Sequence, residues 1–352
     1  MLEIANHPGL IEIGFICLRG WASGVWAGKS FWIMKKVAIG IDLGGTKIAL
    51  GAVDENGVLL EVVRYTTNAG EGYTAVVARM VEGIEQLAAA TPHQIAGIGI
   101  GVAGQVDPVS GAVIFGPNLG WHDVPLRKDM EKACGLSVVV TNDVRAAMRG
   151  EWLFGAGRGA KDLLCVFIGT GIGGGIVCAG IPLEGCSNTA GEIGHITVDL
   201  QGPLCTCGNR GCMEAVAGGW GLARSARQSV AADPLLGRKI LEIAGENLDR
   251  ITAKTVVHAF RQGDRLAASL IDSAVQALGA GVAGLVNALN PCLVILGGGI
   301  VEGMPELVSR VEDQVRSRAL NAALTQLSFR AARLGNEAGI IGAASLAMIR
   351  AG

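Results

Sequence analysis

The chain has 352 residues and a formal net charge of −2. Half of its residues are apolar, 4% are aromatic and 54 are glycine. This length allows two domains with a large core, and the composition is typical of an α/β protein with many tight turns. The absence of a basic stripe argues against a nucleic-acid partner, and no uninterrupted apolar run approaches the roughly 20 residues of a membrane span. The nine cysteines, an odd number in mostly apolar surroundings, indicate a reduced cytoplasmic compartment.

Residues 1–33 differ in composition from the rest of the chain. They contain three of the six tryptophans and show no helical or strand periodicity. Residues 24–30 approach a P-loop, but Ser23 stands where that motif requires its first glycine. Because Met34 closely precedes an apolar strand, we interpret residues 1–33 as an N-terminal extension, hypothesised to arise from a start site assigned too far upstream.

From residue 36 the chain alternates between apolar strands and tight turns. The pattern predicts strands over residues 37–42, 47–54 and 58–65, an amphipathic helix over 74–90 and a buried strand over 95–104. The turn over 42–47 is rich in glycine, which lets the backbone turn tightly and leaves amide groups open to an anion.

The unit of strand, glycine- and threonine-rich turn, and strand recurs about 125 residues later. A strand over 163–168 leads into a turn over 169–175 and a return strand over 176–180. Two related halves would place the two turns on opposite sides of a cleft. Residues 99–104 and 169–174 both fit G-x-G-x-x-G, but strand or turn sequence follows where a dinucleotide site needs a helix.

A third glycine cluster occupies residues 297–299. It follows an apolar strand over 293–296 and a long helix predicted over 266–289. Glycine loops after buried strands are the positions at which α/β folds bind ligands. Tight packing is the alternative explanation for each of the three clusters taken separately.

Asp143 lies where a buried strand over 137–143 passes into a helix predicted over 144–157. The dipole of that helix favours the ionised carboxylate, which can accept a hydroxyl proton during phosphoryl transfer. A plain helix N-cap is the alternative, and the two roles are compatible. Asn118 lies in a Gly/Pro-rich loop, where its amide suits hydroxyl groups, although asparagine is also a common turn former.

Four zinc-ligand side chains follow one another closely: His195, Cys205, Cys207 and Cys212. Three thiolates and an imidazole complete a tetrahedral shell with no position left for water, so the sequence predicts a structural zinc site. A histidine that binds zinc through one nitrogen keeps the other as an N–H donor of fixed tautomer, which can point at a substrate hydroxyl. The alternative is a surface zinc site unrelated to substrate.

Together these motifs resemble the ROK family of repressors and sugar kinases, within the actin-like ATPase superfamily. The run from His195 through nine residues to Cys-x-Cys-x4-Cys, with Glu192 before it, is highly specific for that family, and the resemblance extends from Lys36 to the C-terminus. It implies an α/β, ribonuclease H-like fold of two domains with an interdomain cleft. The implied small domain covers residues 34–143 and is completed by a C-terminal helix over about 336–352. The implied large domain covers residues 144–335 and contains a zinc loop over 192–214.

The resemblance also implies roles for individual residues. Asp143 corresponds to the catalytic base that takes the proton of a sugar hydroxyl, and Asp42 lies where the family handles the Mg²⁺ of the nucleotide. The sugar contacts correspond to Asn118, Asn142, Asp143, Glu192, His195 and Glu214. The ATP-binding loops correspond to Asp42, Gly44, Gly45, Thr46, Lys47, Gly169, Thr170, Gly171, Gly173, Gly297, Gly298 and Gly299. The structural zinc shell corresponds to His195, Cys205, Cys207 and Cys212.

We therefore expect an ATP-dependent kinase for the 6-hydroxyl of an aldohexose, with glucose as the leading substrate. Kinases for N-acetylmannosamine, N-acetylglucosamine, fructose or mannose remain open alternatives, as do ADP and polyphosphate as phosphate donors. A sugar-responsive repressor is a distant alternative, because no helix-turn-helix pattern precedes residue 36. A catalytically inactive sugar-binding module conflicts with the presence of Asp143 and both glycine turns. The family further implies a cytoplasmic homo-oligomer, a dimer or tetramer, without nucleic-acid or membrane partners.

Overall fold

The computed structural model describes residues 36–350, so the expected extension over 1–33 lies outside the described residues. Within that range the chain forms three β-sheets and twelve α-helices. The strands are Lys36–Leu43 (β1), Lys47–Asp54 (β2), Leu59–Thr66 (β3), Gln94–Val102 (β4), Gln105–Val106 (β5), Val113–Gly116 (β6), Trp121–Val124 (β7), Val138–Asn142 (β8), Leu163–Ile168 (β9), Ile172–Cys178 (β10), Ile181–Pro182 (β11), Leu293–Gly297 (β12) and Ser328–Ala331 (β13). The helices are Tyr73–Ala90 (α1), Leu126–Cys134 (α2), Asp143–Leu153 (α3), Met213–Ala217 (α4), Gly219–Ala232 (α5), Arg238–Ile243 (α6), Ala253–Arg261 (α7), Arg265–Leu289 (α8), Gly299–Gly303 (α9), Leu307–Arg316 (α10), Asn321–Leu324 (α11) and Ala338–Arg350 (α12).

The two five-stranded sheets share one topology. Their strand orders are β3-β2-β1-β4-β8 and β11-β10-β9-β12-β13. In each sheet the first three strands form an antiparallel meander, and the first strand of the meander also pairs in parallel with the fourth. The fifth strand is parallel to the fourth in both sheets. The predicted repeat of strand, turn and strand is therefore confirmed, and it extends to the whole five-stranded unit.

Strands β1 and β4 of the first sheet are covered on both faces. Alternate residues of β1, such as Val37 and Ile39, join a core with α1 and α2, while the residues between them face α12. The face toward α12 requires glycine, because a Cβ on Gly40 or Gly99 would lie within 2 Å of a carbonyl oxygen of that helix. Helix α12 also packs along α3, so the end of the chain returns to the first sheet.

Helix α8 forms the centre of the second half. It has 25 residues, and its most apolar 18-residue window has a mean hydropathy of 1.4. Among the described residues it is the one helix long and apolar enough to cross a membrane by length and composition. More than half of its apolar window is buried within the protein, where it packs against α4, α7 and α10. Packing in the core of the second half thus accounts for its apolar sequence, which polar residues such as Asp272 and Gln276 interrupt.

Two predicted boundaries differ from the structure. Helix α3 ends at Leu153 instead of residue 157, because the chain turns at Gly155 and Gly157, where a Cβ would lie within 3 Å of the backbone of α3. The return strand β10 begins at Ile172 instead of residue 176. Its glycines lie in the strand because α3 packs directly on it: a Cβ on Gly173 would lie 2.7 Å from the side chain of Val144.

Candidate active site

Asp42 and Asp143 lie at one edge of the first sheet. Asp42 is registered against Gly101 of β4, and Gly101 is registered against Thr141 of β8. Because these three strands are parallel, their carboxyl ends bring the two acids together. Burial raises the pKa of Asp42 to about 6, with a further rise from the charge of Asp143 and a smaller opposing effect of Lys47.

Asp42 also faces the beginning of helix α12. A Cβ on Gly339, in the first turn of that helix, would lie 3.0 Å from the Cγ of Asp42. The C-terminal helix therefore approaches the carboxylate so closely that a side chain at this position would crowd it. The close fit explains how the end of the chain contributes to the burial that raises the pKa of Asp42.

Asn142 and Asp143 have different roles at the start of α3. Asn142 is the N-cap: its Oδ1 accepts hydrogen bonds from the amides of Val144 (3.0 Å) and Arg145 (3.2 Å), and its Nδ2 donates to the carbonyl of Gly104 (3.2 Å). The interpretation of Asp143 as a plain N-cap is therefore wrong, since Asp143 is the first helical residue. Burial raises the pKa of Asp143, the nearby charge of Glu192 raises it further, and hydrogen bonding to the amide of Val144 opposes the rise.

The first glycine turn contacts the loop of Asn118. The turn is closed by a hydrogen bond from the amide of Gly44 to the carbonyl of Lys47 (3.0 Å) and braced by the hydroxyl of Thr67, which donates to the carbonyl of Gly44 (2.7 Å). A Cβ on Gly45 would lie 2.8 Å from the Cβ of Asn118. Asn118 is exposed in the turn between β6 and β7, so the structure brings this predicted sugar contact next to the first predicted phosphate turn.

The four predicted zinc ligands are brought together. Their ligand atoms all lie within 4.8 Å of one another. The Nδ1 of His195 is 3.7 Å from the Sγ of Cys205, and the Sγ atoms of Cys207 and Cys212 are 3.6 Å apart. Zinc at about 2.3 Å from each sulfur gives a tetrahedron with edges of about 3.8 Å, which these separations match. The four side chains therefore fit zinc, and Nδ1 is the nitrogen of His195 that faces it.

Glu214 connects the zinc loop to the second glycine turn. One oxygen of its carboxylate accepts a hydrogen bond from the amide of Ile172 (2.8 Å), and the other accepts from the indole nitrogen of Trp220 (3.1 Å). A Cβ on Gly171 would lie 2.2 Å from this carboxylate, so the turn requires glycine there. Glu192, at the other end of the zinc loop, is exposed, and its charge acts on Asp143.

A cavity of about 870 Å³ opens beside the second glycine turn. Gly169 and Thr170 line it together with Gly299, so the second and third predicted glycine clusters share one cavity. Gly173, by contrast, lies in β10 against α3. Within the described residues, the first glycine turn is not part of the cavity lining and contacts the Asn118 loop instead.

Sequence reasoning missed most of the side chains that line this cavity. Lys254, His258 and Arg261 lie on successive turns of α7, and Trp220 and Arg227 come from α5. The helical spacing of the three basic residues on α7 is a signal that could have marked a cationic face. Arg227 and Arg261 donate to backbone carbonyls of Ile251 and Gly303, respectively, and thus brace the cavity wall.

Comparison with known proteins places this geometry in context. Residues 38–350 match the model of the ROK family. The glucokinase of Thermotoga maritima is 37% identical over 315 residues, which cover 89% of this chain and 98% of that protein. The crystal structure of a ROK family glucokinase from Streptomyces griseus in complex with glucose and AMPPNP has a TM-score of 0.78 and 36% identity, covering 89% of this chain and 99% of that one. The xylose repressor of Caldicellulosiruptor bescii is 31% identical, covering 95% of this chain and 84% of that protein.

Proposed function

The chain belongs to the ROK family, and we propose from that premise that it is an ATP-dependent glucokinase, which transfers a phosphoryl group to the 6-hydroxyl of glucose. The observation that carries the proposal is the position of Asp143. It lies beside Asp42 at the carboxyl edge of the first sheet, and the charge of Glu192 from the zinc loop reaches it. A base, a metal-ligating acid and a sugar-facing loop thus meet at one point.

Asp143 is the catalytic base in this proposal. Its carboxylate accepts the proton of the 6-hydroxyl as that oxygen attacks the phosphoryl group. The raised pKa of Asp143 makes it a stronger base than an exposed aspartate, and the start of α3 still favours the ionised form. Asn142, held as the N-cap, fixes the backbone that presents the carboxylate.

The glycine-rich loops hold the nucleotide. We assign the phosphates to the two turns that contain Gly44, Gly45, Gly169 and Thr170, and the adenosine to the cavity lined by Gly299. Asp42 offers the carboxylate oxygen that Mg²⁺ prefers, and this ion supplies screening of the phosphate charge. Phosphoryl transfer depends on such positioning more than on covalent chemistry by the protein, which agrees with the predominance of backbone groups in these loops.

The sugar lies between Asn118, Glu192 and His195 in this proposal. Because the Nδ1 of His195 faces the zinc position, its Nε2 remains the N–H donor available to a hydroxyl. Zinc is then structural in its chemistry and acts on the sugar only by fixing this histidine. Glu214 already accepts two hydrogen bonds, and a carboxylate has capacity for further donors, so a sugar contact there is compatible with its tie to Ile172.

The two five-stranded halves close around the substrates in this account. We assign the small domain to residues 34–143 together with helix α12, and the large domain to 144–335. Closure would exclude water from the transferring phosphoryl group. We further propose that the protein is a cytoplasmic homo-oligomer, either a dimer or a tetramer. Light scattering on the purified protein measures this oligomeric state directly.

The proposal is tested by a hexose panel in a coupled assay of ADP release. Glucose, mannose, fructose, N-acetylmannosamine and N-acetylglucosamine are each compared with ATP, and glucose is also tested with ADP and with polyphosphate as donors. We expect glucose with ATP to give the highest kcat/KM. Preference for another sugar would overturn the assignment of glucose, and turnover of none of them would overturn the kinase function.

A further inference from the structure

We propose that Arg145 and Asn188 are positioning residues for the sugar site. They hold the loop over residues 184–190, which leads into Glu192 and His195, against two other parts of the site. This inference rests on the proposed glucokinase function, because it takes the sugar to be the ligand that the loop serves.

Arg145 joins the loop to the helix of the catalytic base. It lies in the first turn of α3, is partly buried, and donates three hydrogen bonds to the loop. Its Nη2 donates to the carbonyls of Ala190 (2.9 Å) and Glu184 (3.3 Å), and its Nη1 donates to the Oδ1 of Asn188. A planar guanidinium can serve three acceptors at once, whereas an ammonium on a flexible stem cannot hold them in one plane.

Asn188 joins the same loop to the small three-stranded sheet. Its Oδ1 accepts from Arg145, and its Nδ2 donates to the carbonyl of Val106 in β5 (2.9 Å). Val106 is buried, and β5 belongs to the sheet whose β6–β7 turn carries Asn118. One amide side chain therefore couples the Asp143 helix to the sheet of Asn118.

The conformation of Asn188 suits this role. Its φ of 56° lies in the left-handed region, which asparagine tolerates better than most residues other than glycine. The loop then ends at Gly191, where φ is 96° and a Cβ would lie 2.8 Å from the carbonyl of Gly174 in β10. The loop is thus anchored at both ends, by the side chains of Arg145 and Asn188 and by close backbone packing on β10.

Three elements that present proposed sugar contacts meet through this pair. They are α3 with Asp143, the loop that leads to Glu192 and His195, and the sheet with Asn118. Without these two side chains, the loop would become ordered only when the sugar binds. The free energy needed to order the loop would then lower the affinity for the sugar. The nucleotide cavity is lined by other segments, and ATP binding should therefore be unaffected.

The test compares two variants with a matched control. Asn188→Gly keeps the left-handed backbone and deletes both side-chain hydrogen bonds, while Arg145→Lys keeps the charge and loses the planar fork. The control is Arg149→Lys, one turn further along α3, where the Nε of Arg149 donates to the hydroxyl of Ser345 in α12 (2.8 Å) and not to the loop. We expect both test variants to raise the KM for glucose about tenfold, with kcat within about twofold and the KM for ATP unchanged. The control should retain the wild-type KM for glucose.

The outcomes separate this inference from the proposed function. The positioning role would be overturned if both test variants were active and kept the wild-type KM for glucose. It would also be overturned if the KM values for glucose and ATP both rose while kcat and the melting temperature fell, because that pattern indicates a general structural role. If the wild type phosphorylates no sugar, the proposed function fails. Hydrogen exchange then remains decisive: amides over 184–190 should exchange faster in Asn188→Gly than in the wild type, and equal rates would refute the positioning role.

Discussion

Substitution of Asp42 by asparagine is expected to stabilise the protein while impairing it as an enzyme. Burial raises the pKa of Asp42 from 3.8 to about 6, a rise of about two pH units, and each unit corresponds to about 1.4 kcal/mol. The folded protein therefore binds this proton more tightly than the unfolded chain does. The contribution of Asp42 to the free energy of unfolding is fully present below pH 3.8 and is lost as the pH rises through about 6. At pH 8 the ionised carboxylate therefore lowers the free energy of unfolding by about 3 kcal/mol.

Asparagine has the same shape without the charge, so it fits beside Gly339 and removes that cost. The assay is urea unfolding of wild type and Asp42→Asn at a series of pH values with EDTA present. The variant should be more stable by up to about 3 kcal/mol at pH 8, and the difference should vanish near pH 4. With Mg²⁺ and ATP the gain should shrink and turnover should fall strongly, because the carboxylate is then needed.

Asp107 provides a control of opposite sign. It is half-buried, and its pKa is lowered by hydrogen bonds from the side chain and amide of Ser110. Its contribution to stability is present at neutral pH and is lost as the pH falls, so Asp107→Asn should lower stability at pH 8. Lower stability of Asp42→Asn at pH 8 without Mg²⁺, or a gain that persists at pH 4, would refute the reasoning.

Three further predictions concern the zinc loop, a buried acid and the base. Cys207→Ser should lose zinc and raise the KM for glucose; unchanged zinc content by mass spectrometry and an unchanged KM would contradict the coupling of the metal to the sugar. Glu151 is fully buried and accepts hydrogen bonds from the amides of Ala156, Arg333 and Leu334 (2.9, 2.8 and 2.6 Å), so Glu151→Gln should cost about 1–3 kcal/mol, and a melting curve identical to that of the wild type would exclude this. The pH profile of kcat/KM should fall on the acid side, as Asp143 becomes protonated at a pH above the ordinary range for aspartate; an acid limb near pH 4 would argue against the raised pKa.

Local patterns in the sequence predicted the parts of the site that depend on short spacing. The ligands from His195 to Cys212 lie within one loop, so their spacing alone specified a zinc shell that the structure assembles. Alternation of apolar residues and glycine turns likewise predicted the repeated unit, because a strand and its hairpin partner are neighbours in sequence. The approach of Asp42 to Asp143 was not predicted, because it depends on the parallel register of three strands that are distant in the sequence.

The features that sequence reasoning missed depend on contacts between distant segments. Nothing local distinguishes Asn142 from Asp143 as the cap, because both residue types are favoured there and only the backbone geometry decides. The glycines of β10 resemble a turn until α3 is seen to pack against them. Glu214 reaches Ile172, which is 42 residues away in the chain, and such a contact has no periodic signature.

The central claim is that Asp143 takes the proton of a sugar hydroxyl at a site where other residues make most of the sugar contacts. The most direct test measures glucose binding by calorimetry and turnover with ATP in Asp143→Asn. We predict that turnover falls by at least about 100-fold while the Kd for glucose stays within about threefold of the wild type. Turnover that survives the substitution would contradict the account.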